Sequence, residues 1–152
     1  MGLVRSVLIR LGLADVRAER GSISVMVLDD DTRRHRWFVK RFRGDFVELA
    51  KTVEEAKNLL MTGSYDAIFL DHDLLPHHYE SNSHDDFANT GFAVAEFLNE
   101  NPDLQPGATI IVHTRNADAA IPMVEKLRES GRKAEYCAFP MLDLKISNYW
   151  QR

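Results

Sequence analysis

The nine residues YDAIFLDHD, numbered 65–73, hold the strongest indication of the fold. Their middle part, AIFL, is short and wholly apolar, which is typical of a strand buried on both faces of a parallel sheet. The polar triplet DHD follows at once. Aspartate and histidine directly after a buried strand indicate either a local cap or a functional site at the end of that strand.

Two other apolar runs have the same form. Ser22–Leu28 is followed by Asp29, Asp30 and Asp31, and Thr109–Val112 is followed by His113. Weaker strands are predicted at Phe46–Ala50 and Lys133–Phe139, and helices at Thr32–Arg43, Thr52–Met61, Gly91–Asn99 and Ala117–Ser130. Strands that alternate with helices predict an α/β fold with helices on both faces of a parallel sheet.

Five strands in this alternation predict a flavodoxin-like three-layer sandwich with the strand order 2-1-3-4-5. The tail over 141–152 is short, so we expect a short or missing last helix. Residues 1–20 form a predicted N-terminal helical extension, because Leu3, Val7 and Leu11 repeat at helical spacing. Residues 21–152 form the predicted α/β domain. The extension is expected to serve packing or self-association, which makes a homodimer through this helix one expectation.

Composition limits the classes of function. A chain of 152 residues is sufficient for one domain with its own core. The formal charge of −4 argues against binding to duplex nucleic acid. No run of 18 apolar residues is present, so we expect no membrane span. The single cysteine, Cys137, fits the reducing conditions of the cytoplasm, where we expect the protein to reside.

The predicted strand order brings the acidic ends of three strands to one edge of the sheet. Clustered carboxylates repel one another unless a cation neutralises them, and Mg²⁺ or Mn²⁺ prefers such oxygen ligands. Asp29, Asp30 and Asp71 are therefore the predicted metal ligands. The alternative is that aspartates at strand ends only cap helices, with Asp30 or Asp31 capping the first. The three-way convergence favours the metal.

The segments at these strand ends resemble receiver domains of two-component response regulators. Val27–Asp31 is similar to their acidic first-strand motif, and Tyr65–Asp71 to their third strand, which puts Asp71 in the position of the phosphoaccepting aspartate. Thr114 matches the hydroxyl residue after their fourth strand. One departure is large: Phe139 stands where those proteins carry a lysine that pairs with the phosphorylated aspartate. An ordinary phosphorelay receiver is therefore not expected.

A narrower resemblance accounts for the departures. Leu70–Leu74, Thr90–Phe92 and Ile111–Asn116 resemble the motifs of the cyclic-phosphate processing receiver domains, a derived branch of the receivers. That branch has an Asp-His-Asp-Leu motif, a Thr-Gly-aromatic helix start and a His-Ser-x-Asn motif, with threonine for serine here. The resemblance implies that the chain processes a small phosphorylated ligand, a cyclic nucleotide or an RNA-derived cyclic phosphate.

The residue types suit that chemistry. His72 and His113 have side chains that exchange protons near neutral pH, so with Asp71 they are the predicted catalytic residues. Thr114 and Asn116 are predicted to donate hydrogen bonds to phosphate oxygens, and Asp73 to orient His72 from outside the metal's ligand set. Alternatives stay open: His113 as a structural histidine, Asn116 as a helix cap, and Asp73 as an anchor for the next loop.

Two further segments carry weaker indications. The polar connection over 76–90 contains His77, His78 and His84, which are more often solvated than functional in such a loop. The first helix is rich in arginine, mostly on a predicted exposed face, although one or two of these side chains near its start could bind a phosphate.

Three hypotheses for the function follow. The leading one is a metal-dependent phosphoesterase that hydrolyses a cyclic phosphate. The second is an atypical receiver that signals through a protein partner without catalysis. The third is a pseudo-receiver that only mediates assembly through residues 1–20.

Overall fold

The computed structural model describes residues 20–74 and 90–151. These residues form five strands: β1 (Ser24–Leu28), β2 (Phe46–Ala50), β3 (Ala67–Leu70), β4 (Thr109–Val112) and β5 (Lys133–Tyr136). The helices are α1 (Thr32–Arg41), α2 (Val53–Thr62), α3 (Gly91–Glu100), α4 (Ala117–Glu129) and α5 (Leu142–Trp150). All neighbouring strands are parallel and their order is β2-β1-β3-β4-β5, which confirms the predicted flavodoxin-like topology.

The strand register places the three functional segments at one level of the sheet. Leu28 lies beside Leu70, and Leu70 lies beside Val112. The next residue of each strand continues the ladder, since Asp71 N donates to Leu28 O at 2.9 Å and His113 N donates to Leu70 O at 2.9 Å. Asp29, Asp71 and His113 therefore leave the sheet side by side.

The side chains of the three central strands fill both faces of the sheet. On one face, residues such as Leu28 and Leu70 pack in a cluster with side chains of α2, α3 and α4. On the other, Val27, Phe69 and Ile111 pack with side chains of α1 and α5. These strand residues are fully buried. Two buried faces explain the nearly continuous apolar runs, and they make the domain three layers thick.

Polar side chains fix the starts of three helices. Asp31 Oδ1 accepts from the backbone N–H groups of Arg33 at 2.8 Å and Arg34 at 3.3 Å, which caps α1. Thr52 caps α2 and Asn116 caps α4 in the same manner. Each cap supplies an acceptor for backbone N–H groups that have no partner inside the helix. The capping alternative for Asp31 is thus what the structure contains.

The last helix is present and short, which is one of the two outcomes expected from the short tail. It runs for nine residues over Leu142–Trp150, after a turn of 3-10 helix at Phe139–Met141. Leu142 and Ile146, four residues apart, are fully buried against the sheet. This spacing provides the apolar stripe that a short helix needs.

The predicted N-terminal extension over 1–20 lies outside the described residues except for Arg20. The guanidinium of Arg20 forms two hydrogen bonds to the carboxylate of Asp45, at 2.9 and 2.8 Å, which fixes the start of the domain. Within residues 20–74 and 90–151, no helix is both long and apolar enough to cross a membrane.

Candidate functional site

Three buried polar side chains meet beyond the carboxyl ends of β1, β3 and β4. One carboxylate oxygen of Asp29, one of Asp71 and a ring nitrogen of His113 all lie within 4.8 Å of one another. The three residues are at most 3% exposed. Buried charges need opposite charges or hydrogen bonds to offset their lost hydration. The partners here are Arg34, which contacts both carboxylates, and His113, which contacts Asp29.

Arg34 joins the two carboxylates. Its Nε lies 2.6 Å from Asp29 Oδ2, and its Nη2 lies 2.9 Å from Asp29 Oδ1 and 3.0 Å from Asp71 Oδ2. The fork of donors on a guanidinium suits this arrangement, because it can serve both oxygens of one carboxylate and reach a second. The sequence indicated a basic first helix with one or two arginines near its start that could bind a phosphate, but it did not indicate the contact with the acidic cluster.

His113 holds Asp29 from the other side. Its Nε2 lies 2.8 Å from Asp29 Oδ2, and its ring packs against Phe38 and Phe139, with ring centroids 5.4 and 6.4 Å away. Its Nδ1 is buried and has no hydrogen-bond partner among the described residues. A proton on Nε2 satisfies Asp29, whereas a proton on Nδ1 would have no acceptor. We therefore assign the Nε2–H tautomer.

The pKa values of the two aspartates are shifted in opposite directions. Burial by itself would raise the pKa of Asp29, but the hydrogen bonds from His113 and Arg34 outweigh it and lower the pKa to about 2. Burial raises the pKa of Asp71 to about 6; the neighbouring Asp29 adds to the rise, and Arg34 and His113 oppose it. Asp29 is thus firmly ionised, whereas burial disfavours the ionised form of Asp71, although Arg34 Nη2 and the backbone N–H of His72 donate to its carboxylate.

Asp30, the third predicted metal ligand, stands apart from the cluster. It is only partly buried, and it is not among the residues whose ligand atoms lie within 4.8 Å of one another. Burial and the neighbouring Asp29 raise the pKa of Asp30, so it too would gain from a nearby cation. Its role as a metal ligand stays a prediction.

His72, Asp73 and Thr114 form a second group beside the cluster. His72 Nδ1 lies 2.9 Å from Asp73 Oδ1, and Thr114 Oγ1 lies 3.5 Å from Asp73 Oδ2. Asp73 therefore contacts both neighbours, as expected for a residue that orients His72. Thr114 Oγ1 also accepts from the backbone N–H of Asn116 at 3.2 Å. Asn116 Oδ1 caps α4 by accepting from Ala119 N at 3.2 Å, so its helix-cap role is present whatever else it does.

The start of α3 presses against the backbone of the site at Gly91. The N–H of Gly91 donates to His72 O at 2.9 Å. A Cβ at position 91 would lie 1.9 Å from Asp71 O, a separation that atoms cannot adopt. Only glycine permits this approach, which explains the glycine of the Thr90–Phe92 motif physically. The histidines of the loop over 76–90, His77, His78 and His84, lie in 75–89, outside the described residues.

The donor set fits a divalent cation held by carboxylates. Asp29 and Asp71 present oxygens at one point, and burial raises the pKa of Asp71 although Arg34 Nη2 lies 3.0 Å away, so further positive charge would stabilise its ionised form. Mg²⁺ and Mn²⁺ take such oxygens and keep several waters. His113 fits less well as a ligand, because a ligating Nε2 would leave the proton on Nδ1 without an acceptor.

Comparison with protein families agrees with the motifs at these strand ends. Residues 25–129 match the family model described as the cyclic-phosphate processing receiver domain. The chain belongs to this family. The match covers β1 through α4 and thus every residue of the site. A search of curated proteins gives no match.

Solved structures with the same fold are response-regulator receivers. A CheY-like receiver domain from Methanospirillum hungatei JF-1 is 20% identical, with a TM-score of 0.62 over 86% of this chain and 95% of that one. A Burkholderia pseudomallei response regulator, determined with a phosphorylated aspartic acid, calcium ion and citrate, is 24% identical, with a TM-score of 0.58. That match covers 81% of this chain but only 63% of the Burkholderia protein.

A third structure is the Mn(2+)-bound form of the response regulator Rcp1. It is 15% identical, with a TM-score of 0.59 over 84% of this chain and 94% of that one. At these identities the three structures establish the receiver fold and nothing finer.

Proposed function

We propose that this receiver domain is a divalent-metal-dependent phosphoesterase that hydrolyses a cyclic phosphate, either a cyclic nucleotide or the cyclic end of an RNA fragment. The observation that carries the proposal is the convergence of Asp29, Asp71 and His113 within 4.8 Å, next to the His72–Asp73 pair. The name of the family supports the same substrate class. The single, buried Cys137 suits a cytoplasmic enzyme.

Each residue has a role that its contacts support. Asp29 and Asp71 would hold the cation, with Asp30 as a further oxygen donor close by. A bound divalent cation stabilises negative charge on the phosphoryl oxygens. His72 exchanges the proton that moves between water and the leaving oxygen, because Asp73 engages its Nδ1 and fixes the ring. We assign His113 to the orientation of Asp29, which narrows the sequence-based prediction that both histidines exchange protons.

The phosphate end of the substrate would lie at the start of α4. The side-chain oxygen of Asn116 is engaged in the helix cap, so its amide N–H groups remain to donate to phosphate oxygens. Thr114 contributes its hydroxyl beside Asp73. The free N–H groups of the first helical turn add to the attraction for an anion.

The test is hydrolysis by the purified, Mg²⁺-loaded protein of a panel of 3′,5′-cyclic nucleotides and nucleoside 2′,3′-cyclic phosphates. Asp71→Asn and His72→Gln should each lower kcat by about 100-fold or more, since they remove a cation ligand and a proton carrier. Asp103→Asn, an exposed aspartate far along the chain, is the matched control and should keep full activity. A clean preparation that hydrolyses no member of the panel would refute the proposal.

A second candidate is a signalling receiver without catalytic activity. Asp71 favours it, because this residue directly follows β3 in a domain of receiver fold and its carboxylate is buried among polar groups. This alternative requires a phosphoryl adduct on Asp71 after incubation with acetyl phosphate and Mg²⁺. Intact-mass measurement detects such an adduct, and its absence would remove the phosphorylated form of this alternative.

A further inference from the structure

The guanidinium of Arg34 occupies the position between the two carboxylates that a cation would take. It makes three hydrogen bonds there, two to Asp29 and one to Asp71. A divalent ion needs the same oxygens, and two positive groups a few ångströms apart repel each other. The ion and the present position of Arg34 are therefore incompatible at Asp29 and Asp71.

Arg34 can leave the carboxylates without a change in the fold. It stands in the first turn of α1, whose start is fixed by the Asp31 cap and not by Arg34. Its side chain is 18% exposed, so the guanidinium has access to the solvent side of the site. The ring of Phe139, with its centroid 5.9 Å from Arg34 Cζ, offers a flat surface along which the guanidinium can move.

The charge balance indicates what Arg34 would bind after release. Two ionised carboxylates and one guanidinium leave the cluster with a net negative charge. A divalent ion reverses the sign, and the site then attracts an anion. A guanidinium binds phosphoryl oxygens with two parallel hydrogen bonds, as it binds the carboxylate of Asp29 here. Phe139, in the segment that follows β5, offers no such charge, because its side chain is aromatic.

We infer that Arg34 exchanges partners: it pairs with Asp29 and Asp71 when no divalent cation is bound, and with the phosphoryl group of the ligand once the cation has taken the carboxylates. This inference rests on the proposed function for the chemical class of the ligand. It makes Arg34 both a competitor of the metal and a positioning residue for phosphate. Removal of the Arg34 guanidinium should therefore raise the affinity for the metal and lower the affinity for phosphate.

The experiment measures two affinities of the full chain by calorimetry, first for Mg²⁺ alone and then for inorganic phosphate at saturating Mg²⁺. Arg34→Gln should bind Mg²⁺ at least about threefold more tightly, and should bind inorganic phosphate about tenfold more weakly. Arg33→Gln is the matched control: the Arg33 side chain is 86% exposed, and both affinities should equal those of the unmodified protein.

Arg34→Lys keeps the inference testable if Arg34→Gln does not fold. Lysine retains the charge but not the fork, so Mg²⁺ should bind more tightly than to the unmodified protein, with only a part of the phosphate affinity lost. A role in stability alone would weaken both affinities together or leave both unchanged, and either result overturns the inference. Failure to hydrolyse any cyclic phosphate refutes the proposed function but leaves both binding measurements valid.

Discussion

Asp71 is the residue whose negative charge the fold accommodates least well. Burial raises its pKa to about 6, so Asp71 binds a proton more readily in the folded chain than in the unfolded one and is mainly ionised only above pH 6. A carboxyl group of this kind contributes stability that is present in full below its unfolded pKa, near 3.8, and is lost as the pH rises through 6. Asparagine has the same shape and is neutral at every pH. Asp71→Asn should therefore stabilise the metal-free protein at high pH.

The expected gain at pH 8 is about 1–3 kcal/mol, since one pKa unit corresponds to about 1.4 kcal/mol and the variant also loses its ion pair with Arg34. At pH 4 the gain should fall close to zero, because Asp71 is then largely protonated. Urea denaturation at both pH values with a chelator present measures the two differences. Asp103→Asn, an exposed residue, should show no change at either pH. An equal gain at both pH values would contradict the assigned cause.

The site residues differ in how far the sequence could predict them. Asp29, Asp71 and His113 each follow a buried strand directly, so the strand order alone brings them together. Arg34 could not be assigned in this way. Its position depends on the direction in which α1 leaves β1, and the local sequence shows only that the helix is basic. The sequence of one helix does not show which of its several arginines reaches a cluster that residues of other segments form.

At the scale of elements, the packing of α3 against the site depends on Gly91. A methyl group there would overlap Asp71 O, so α3 or the end of β3 must shift in Gly91→Ala. Overpacking of this kind typically costs about 1–3 kcal/mol. We expect the variant to lose about that much stability and to bind Mg²⁺ more weakly, because Asp71 would move. Thermal unfolding and Mg²⁺ titration provide the two measurements.

Gly107→Ala is the matched control for this substitution. Gly107 has no atom within 4 Å of the position that a Cβ would take, so the change in stability should stay within about 0.5 kcal/mol. If Gly91→Ala were as stable as the control and bound Mg²⁺ equally well, the close approach of α3 to Asp71 would be of no importance for the site.

The ends of elements were harder to predict than their order. The strands β1 and β5 are shorter than the predicted runs Ser22–Leu28 and Lys133–Phe139, because the outer residues of those runs lie beyond the last ladder partner. The helix α5 was expected to be short or missing, and the spacing of Leu142 and Ile146 is the local feature that permits it. Its stability comes from packing on the sheet, for example Trp150 on Phe69 at 5.8 Å between ring centroids, which sequence reasoning does not reveal.

At the scale of the whole molecule, the edge of the domain at α1 and β2 exposes apolar side chains. Phe46 is 70% exposed and Val39 is 50% exposed, beside a groove of about 780 Å³ whose lining includes Val39 and Asp45. Arg20, the first residue that the structure describes, is bound to Asp45, which belongs to the lining of this groove. An exposed apolar edge is suited to self-association, and the apolar stripe predicted from the sequence of residues 1–20 is suited to it as well.

We therefore expect the full chain to form a homodimer that depends on residues 1–19. Hydrodynamic sizing should give twice the chain mass for the full chain and a single chain mass after deletion of 1–19.

The Phe46→Ser variant should weaken the dimer by about tenfold if β2 lies in the interface, because an aromatic side chain buried at an interface commonly contributes about 1–2 kcal/mol or more. Met61→Ser is the matched control, because Met61 is also apolar and is 53% exposed near the end of α2, and it should leave the mass unchanged. Identical masses for the full and the shortened chain would exclude this role of the extension. Such a result would not affect the carboxylate site, because its residues follow β1, β3 and β4 or lie in α1 of a single chain.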